Sequence, residues 1–261
     1  MKKLVALILI MTSVIANADS LDKKISRQQG TELREAGSRE KIKKQDEDSI
    51  GYQVAVTALN NKNYKTALEI FLGRAKNGAA SSQFQLGKMY QNGQGVVKDD
   101  SQAIYWYTQA AEQGHIDAAF NLGWLYGNGD STVQDKAQSF KWYLKAALKG
   151  DAESQFLVGN LYDNGEGVAQ NYERALFWYT LVAEKRNAFA QNALGRLHQD
   201  GRGTLQDNSR AHMWYNIAGL NGSEQARKRR DMISARMNSQ ELERAQQLAR
   251  ECVARNYKRC Y

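Results

Sequence analysis

The sequence predicts an all-α fold, a solenoid of stacked helix-turn-helix units. Three observations predict it. A dipeptide ending in glycine returns every 36 residues, at Leu86-Gly87, Leu122-Gly123, Val158-Gly159 and Leu194-Gly195. An aromatic pair keeps the same interval, at Trp106-Tyr107, Trp142-Tyr143, Trp178-Tyr179 and Trp214-Tyr215. The chain of 261 residues has no proline, which fits continuous helices joined by glycine-based turns. A fixed period of this length marks tandem copies of one supersecondary unit, each unable to bury its apolar face alone.

The elements follow in order. Residues 1–18 read as a secretory signal peptide. Met1-Lys2-Lys3 is a basic start, Leu4 to Met11 is apolar, and Ala16-Asn17-Ala18 offers a cleavage site before Asp19. The apolar run is too short to span a bilayer, and no cysteine follows the site to take a lipid. The expectation is a protein of the periplasm, or secreted. Residues 19–48 form a charged leader. Leu21, Ile25, Leu33 and Ile42 give only a weak stripe, so the segment is expected to be mobile or loosely helical.

The array is expected over 49–222. In each copy the first helix carries apolar residues at helical spacing, as in Phe84, Leu86, Met89 and Tyr90. A loop follows at Asn92-Gly93-Gln94-Gly95, Asn128-Gly129-Asp130-Ser131, Asn164-Gly165-Glu166-Gly167 and Asp200-Gly201-Arg202-Gly203. Its glycine is expected to supply a left-handed helix end. Asp99, Asp135, Asn171 and Asp207 then stand at constant phase as N-caps of the second helix. That helix buries Ala103, Trp106, Tyr107, Ala110 and their equivalents. Gly114, Gly150 and Gly222 close units, and Arg186 stands where the matching glycine is missing. The glycine at 87, 123, 159 and 195 lies inside a helix, at a cost of up to about 1 kcal/mol against alanine. Repetition of that cost implies a steric need: close approach of the second helix, with a Trp or Tyr on bare backbone.

A shorter relative precedes these copies, with Gly51, Ala67 and Phe71 at the phases of Gly87, Ala103 and Tyr107. Its turn, Asn60-Asn61-Lys62-Asn63, lacks the paired glycines, so its first helix is expected to run longer. Residues 223–261 read as a basic cap of two polar helices, about Glu224 to Met237 and then Ser239 to about Ala254. Ser239 is taken as the N-cap, with Leu242 where a capping box would hold Glu. Ile233, Met237, Leu242, Ala245, Leu248 and Ala249 would cover the last repeat.

Cys252 and Cys260 are the only cysteines. In an oxidising compartment an even pair reads as a disulfide. Eight helical residues rise about 12 Å, whereas bridged Cα atoms lie within roughly 7 Å. The last helix must therefore end between them; the alternative is two free thiols.

The formal net charge is +8, or +6 without the signal peptide's Lys2 and Lys3. Residues 222–261 hold ten Lys/Arg against five Asp/Glu, so the array itself is close to neutral. The run Arg227-Lys228-Arg229-Arg230 forms a basic patch that could meet anionic lipid, an acidic protein or the cell wall. The plain alternative is a solvated helix face. No nucleic acid partner is expected, because export removes the target and no reading motif is present.

Catalysis is not expected. His115, His198 and His212 sit in unrelated phases, and neither G-x-S-x-G nor H-E-x-x-H occurs. No metal-ligand spacing or cofactor motif is found. Binding candidates are the phase-variable positions of the first helices. One phase holds Lys88, Trp124, Asn160 and Arg196; a second, Gln85, Asn121, Leu157 and Ala193; a third, Ser81, Asp117, Glu153 and Phe189. Trp124, Leu157 and Phe189 are read as anchors for a partner, with Lys88 and Arg196 beside them. The alternative is that these are solvated faces or contacts to the next unit. Trp106, Trp142, Trp178 and Trp214 are read as core.

The string Ala-x-x-x-Leu-Gly-x-x-Tyr-x-x-Gly-x-Gly, then Asp and Ala-x-x-Trp-Tyr-x-x-Ala-Ala, resembles the Sel1-like repeat, a relative of the tetratricopeptide repeat. It is nearly complete in 82–111 and recurs in 118–147, 154–183 and, more loosely, 190–219. Val97, Val133, Ala169 and Leu205 stand where the family usually has Pro, and His198 replaces Tyr. The resemblance implies a right-handed superhelix whose first helices line a concave side, and a scaffold or adaptor that binds a protein or peptide in the cell envelope. A cell-wall or polysaccharide module is the second reading. A cysteine-rich branch linked to β-lactam binding or hydrolysis carries a Cys pair with seven intervening residues in each repeat. Here that spacing occurs once, outside the repeats, so weak β-lactam hydrolysis ranks third.

Overall fold

The computed structural model describes residues 49–129 and 133–260. The expected signal peptide and charged leader lie outside them. Every regular element among the described residues is helical. The chain divides into two compact units, one ending at Ile70 and the other starting at Phe71.

In the first unit residues 49–60 are helical (α1), and Lys62 takes a left-handed turn, φ 59°. Helix α2 (Tyr64–Lys76) then begins. Ala55 and Ala67 are wholly buried. Helix α1 continues four residues past the phase at which the later copies end at Asn92, as the turn without paired glycines predicts.

The second unit stacks four helix pairs: α3 (Ala80–Asn92) with α4 (Asp100–Glu112), α5 (Ile116–Asn128) with α6 (Lys136–Leu148), α7 (Ala152–Asn164) with α8 (Tyr172–Ala183), and α9 (Ala188–Asp200) with α10 (Asn208–Leu220). Each second helix packs against its own partner, and α4, α6 and α8 also pack against the first helix of the next pair. This is a helical solenoid. Helices α11 (Glu224–Ser234) and α12 (Ser239–Ala254) both pack on α10.

The intrahelical glycines explain how each pair closes. A Cβ on Gly123 would stand 2.6 Å from the Tyr143 ring, on Gly159 2.7 Å from Tyr179, and on Gly195 2.5 Å from Tyr215; Gly87 abuts Tyr107 likewise. The tyrosine, not the tryptophan, lies on the bare backbone. Trp106, Trp142, Trp178 and Trp214 are buried, which bears out their reading as core. A recurring glutamine adds a polar clamp between repeats. The buried Nε2 groups of Gln83, Gln155 and Gln191 donate to the carbonyls of Ala75, Ala147 and Ala183 at 3.0–3.1 Å.

Asp99, Asp135, Asn171 and Asp207 each accept from backbone N–H groups of their second helix at 2.9–3.0 Å. Gly93, Gly165 and Gly201 are left-handed as expected, but Gly129 is extended. Space explains the glycine there: a Cβ would lie 2.9 Å from Val133 Cγ2.

Two expectations for the C-terminal helices need correction. Helix α11 ends at Ser234, so Met237 lies in the connection. The cap of α12 is Asn238 rather than Ser239. Its side chain accepts from Glu241 N and its own N–H donates to Glu241 Oε2, both at 2.9 Å. Starting one residue earlier places a glutamate at the third helical position, which completes the capping box that Ser239 could not make.

Helix α12 ends between Cys252 and Cys260, which are bridged with a Cα–Cα distance of 5.0 Å. The tail that follows folds onto the turn between α8 and α9. Arg186, left-handed at φ 64°, donates to Asn256 at 2.9 Å and lies over the Tyr257 ring. Here a side chain is needed where the other units have glycine.

Candidate binding face on the first helices

The phase-variable positions on α3, α5, α7 and α9 meet different fates. Each core tyrosine runs its ring across the helical glycine, and in the first, third and fourth repeats its hydroxyl reaches a polar residue one turn further on. Tyr107 donates to Gln91 and Tyr215 to Gln199, both at 2.7 Å. Tyr179 bonds Asn160 at 2.6 Å and the buried Asp163 at 3.1 Å. Arg196 of the following repeat closes this network with an ion pair to Asp163. Burial raises the Tyr179 phenol, and the Asp163 carboxylate adds to the rise.

The second repeat breaks the pattern. The residues matching Asn160 and Asp163 are Trp124 and Gly127. Neither offers a side-chain acceptor, and the Tyr143 hydroxyl has no hydrogen-bond partner among the described residues. Trp124 is 43% exposed. It borders a cavity of about 150 Å³ lined also by Gln91, Asn92, Lys98, Asp100 and Asn128.

The other sequence-predicted residues divide. Phe189 is 72% exposed, with its ring 6.3 Å from that of Phe156. Lys88 lies over the Phe84 ring at 5.7 Å. Leu157 packs against the core, and Arg196 is held by Asp163, so these two are engaged within the fold. The four-residue basic run is also divided. Arg227 donates to the Gly219 carbonyl and pairs with Glu224, and Arg230 bonds Asn216 and Asp231. Arg229 lies over the Tyr215 ring, and Lys228 is exposed. Tyr143 escaped the sequence reading because its aromatic pair looked like pure core. The available signal was Gly127, at a phase that holds Gln91, Asp163 and Gln199 in the other copies.

The histidines do not form a reactive group. His198 and His212 are buried, and burial lowers both pKa values, that of His198 to about 4. The Nδ1 atom of each lacks a partner among the described residues. His115 caps α5 by accepting from Ala118 N. No cluster of metal-ligating side chains occurs among the described residues, and none of their helices is long and apolar enough to cross a membrane.

Comparison with known proteins agrees with this geometry. The Sel1 repeat profile matches residues 80–115, 116–151, 152–187 and 188–223, each one helix pair. A Sel1 repeat protein from Oxalobacter formigenes is similar at 31% identity, over 67% of this chain and 72% of that one, with a TM-score of 0.61. The structure of c5321, a protective antigen present in uropathogenic Escherichia coli strains and displaying an SLR fold, is similar at 27% identity with a TM-score of 0.63. That match covers 82% of this chain but 47% of the antigen, so the chain spans about half of its length. No protein of curated function matches. With four repeats in phase, each closed by a tyrosine on a helical glycine, the chain belongs to the Sel1 repeat family, whose members generally serve as non-catalytic scaffolds for protein–protein interaction.

Proposed function

We propose that the chain is an exported envelope adaptor that binds a partner polypeptide along the face made by α3, α5, α7 and α9, with Trp124 as anchor. One observation carries this reading. In the third repeat the protein satisfies its own tyrosine hydroxyl with Asn160 and Asp163. In the second repeat Trp124 and Gly127 take those places, and no described side chain bonds the Tyr143 hydroxyl. A half-exposed indole suits a peptide, which can set an apolar side chain on the ring, and the Tyr143 hydroxyl is a donor for a carbonyl of that peptide. The signal-peptide reading of residues 1–18 supports export.

Photo-crosslinking in the native cell tests the proposal. A photoreactive side chain replacing Lys88 or Phe189 is expected to trap one envelope polypeptide. The same group at Lys149, exposed just beyond the end of α6, is expected to trap none of it. N-terminal sequencing of the mature protein should begin at Asp19. Equal capture from all three positions, or from Lys149 alone, would contradict the assignment of the face.

A further inference from the structure

We infer that a cavity between the end of α9 and helix α11 is an anion site that receives an acidic side chain of the partner polypeptide. This rests on the reading above that the partner is a polypeptide. The cavity is about 510 Å³, and its lining includes Arg202, Arg229, Arg236, Asp200, Gln199 and Ile233. Three guanidinium groups face one carboxylate, and that carboxylate, Asp200, pairs with Arg202 at 3.5 Å. Arg229 and Arg236 have no carboxylate partner among the described residues. Their neighbours on α11 differ: Arg227 pairs with Glu224 at 3.1 Å and Arg230 with Asp231 at 2.8 Å. Helix α11 thus supplies counter-charge to Arg227 and Arg230, outside the cavity, and none to Arg229, which lines it; Arg236 follows in the connection after the helix.

The site is built rather than incidental. Arg229 is held over the Tyr215 ring, 6.0 Å from its centroid, and the Tyr215 hydroxyl is fixed by Gln199. Guanidinium groups held in place lose less freedom when a ligand arrives, and their planar forks match a carboxylate. Buried Ile233 and exposed Met232 give the cavity apolar ground for the methylenes of a glutamate, ground that a bare phosphate does not use. Gln199 and Asp200 belong to α9, the last helix of the proposed face, so the cavity lies at the end of the same row.

The test uses the full mature chain and a labelled hexaglutamate peptide with an amidated C-terminus. Arg229→Ala and Arg236→Ala are each expected to weaken binding at least fivefold. Lys228→Ala, which removes the same charge outside the cavity, is expected to leave it unchanged. Glutarate should displace the peptide at lower concentration than inorganic phosphate does. No binding, equal weakening by all three variants, or displacement first by phosphate would each overturn the inference. Should Arg229→Ala lower the melting temperature, Arg236→Ala, an exposed position, decides the matter. Trp124→Ala separates this site from the reading it rests on. It should spare hexaglutamate binding and reduce capture of the envelope partner, so failure of either site shows independently.

Discussion

Gly159 and Gly73 carry the same side chain inside helices and should respond oppositely to alanine. Alanine is the better helix former by about 1 kcal/mol. At Gly73 an added Cβ meets nothing within 4 Å, so Gly73→Ala should raise stability by roughly 0.5–1 kcal/mol. At Gly159 it would strike the wholly buried Tyr179 ring, and overpacking of this kind costs about 1–3 kcal/mol. Urea unfolding of the two variants checks the pair; stabilisation by Gly159→Ala would refute the packing account. His198 gives a pH prediction. Its folded pKa, about 4, lies below the unfolded value of 6.5 because burial and nearby Arg210 disfavour the imidazolium. The unfolded chain therefore binds the extra proton between those values. The contribution is complete above pH 6.5 and is lost as pH falls toward 4, up to about 3 kcal/mol. His198→Tyr, which restores the residue of the other three copies, should flatten the fall in melting temperature over that range. The helical glycines and the oddity of Arg186 and Trp124 were legible in the sequence. Their reasons were not, because Arg186 answers to Asn256 and Tyr257, 70 and 71 positions away, and no local pattern records that.

At the level of the element, the N-caps were the most readable feature. An Asp or Asn at fixed phase before a Trp-Tyr helix has one local purpose, and all four serve it. The start of α12 was misread by one residue because Ser239 and Asn238 are both good caps. Only the position of Glu241 decides between them, through the reciprocal bond to the Asn238 N–H. Asn238→Ala should therefore cost about 1 kcal/mol, and Ser239→Ala close to nothing, by thermal denaturation. Helix α12 also shows why the cap exists. Ala249 and Cys252 join Trp178, Trp214 and Ile217 in one apolar cluster, and Tyr257 and Cys260 of the tail complete it. The expected covering face was correct for Ile233, Ala245 and Ala249, which are buried. The tail's share was not foreseen, since a charged, seven-residue stretch after the helix gives no period to read.

Across the whole molecule the period made the fold legible, and the same regularity hid the site. Repetition records what every copy must do: pack a tyrosine on a glycine, cap a helix, bury a tryptophan. The proposed binding residues are departures from repetition, and a departure has meaning only beside what its equivalents touch. Asn160 and Arg196 looked as variable as Trp124, yet with Asp163 they form one network around the Tyr179 hydroxyl, and Trp124 stands half-exposed. The arginine run shows the same limit. Consecutive residues on a helix point about 100° apart, so four neighbours in sequence divide among an internal carbonyl, solvent, a cavity and an acid on their own helix. The central claim is that the second repeat leaves its tyrosine site open for a partner. The most direct test is the affinity of the crosslinked envelope polypeptide for the parent chain, Trp124→Ala and Gly127→Gln. The account predicts that Trp124→Ala keeps its melting temperature and binds at least tenfold more weakly. Gly127→Gln, which supplies Tyr143 with the acceptor found in the first and fourth repeats, should also weaken binding. Full affinity in both folded variants would contradict it.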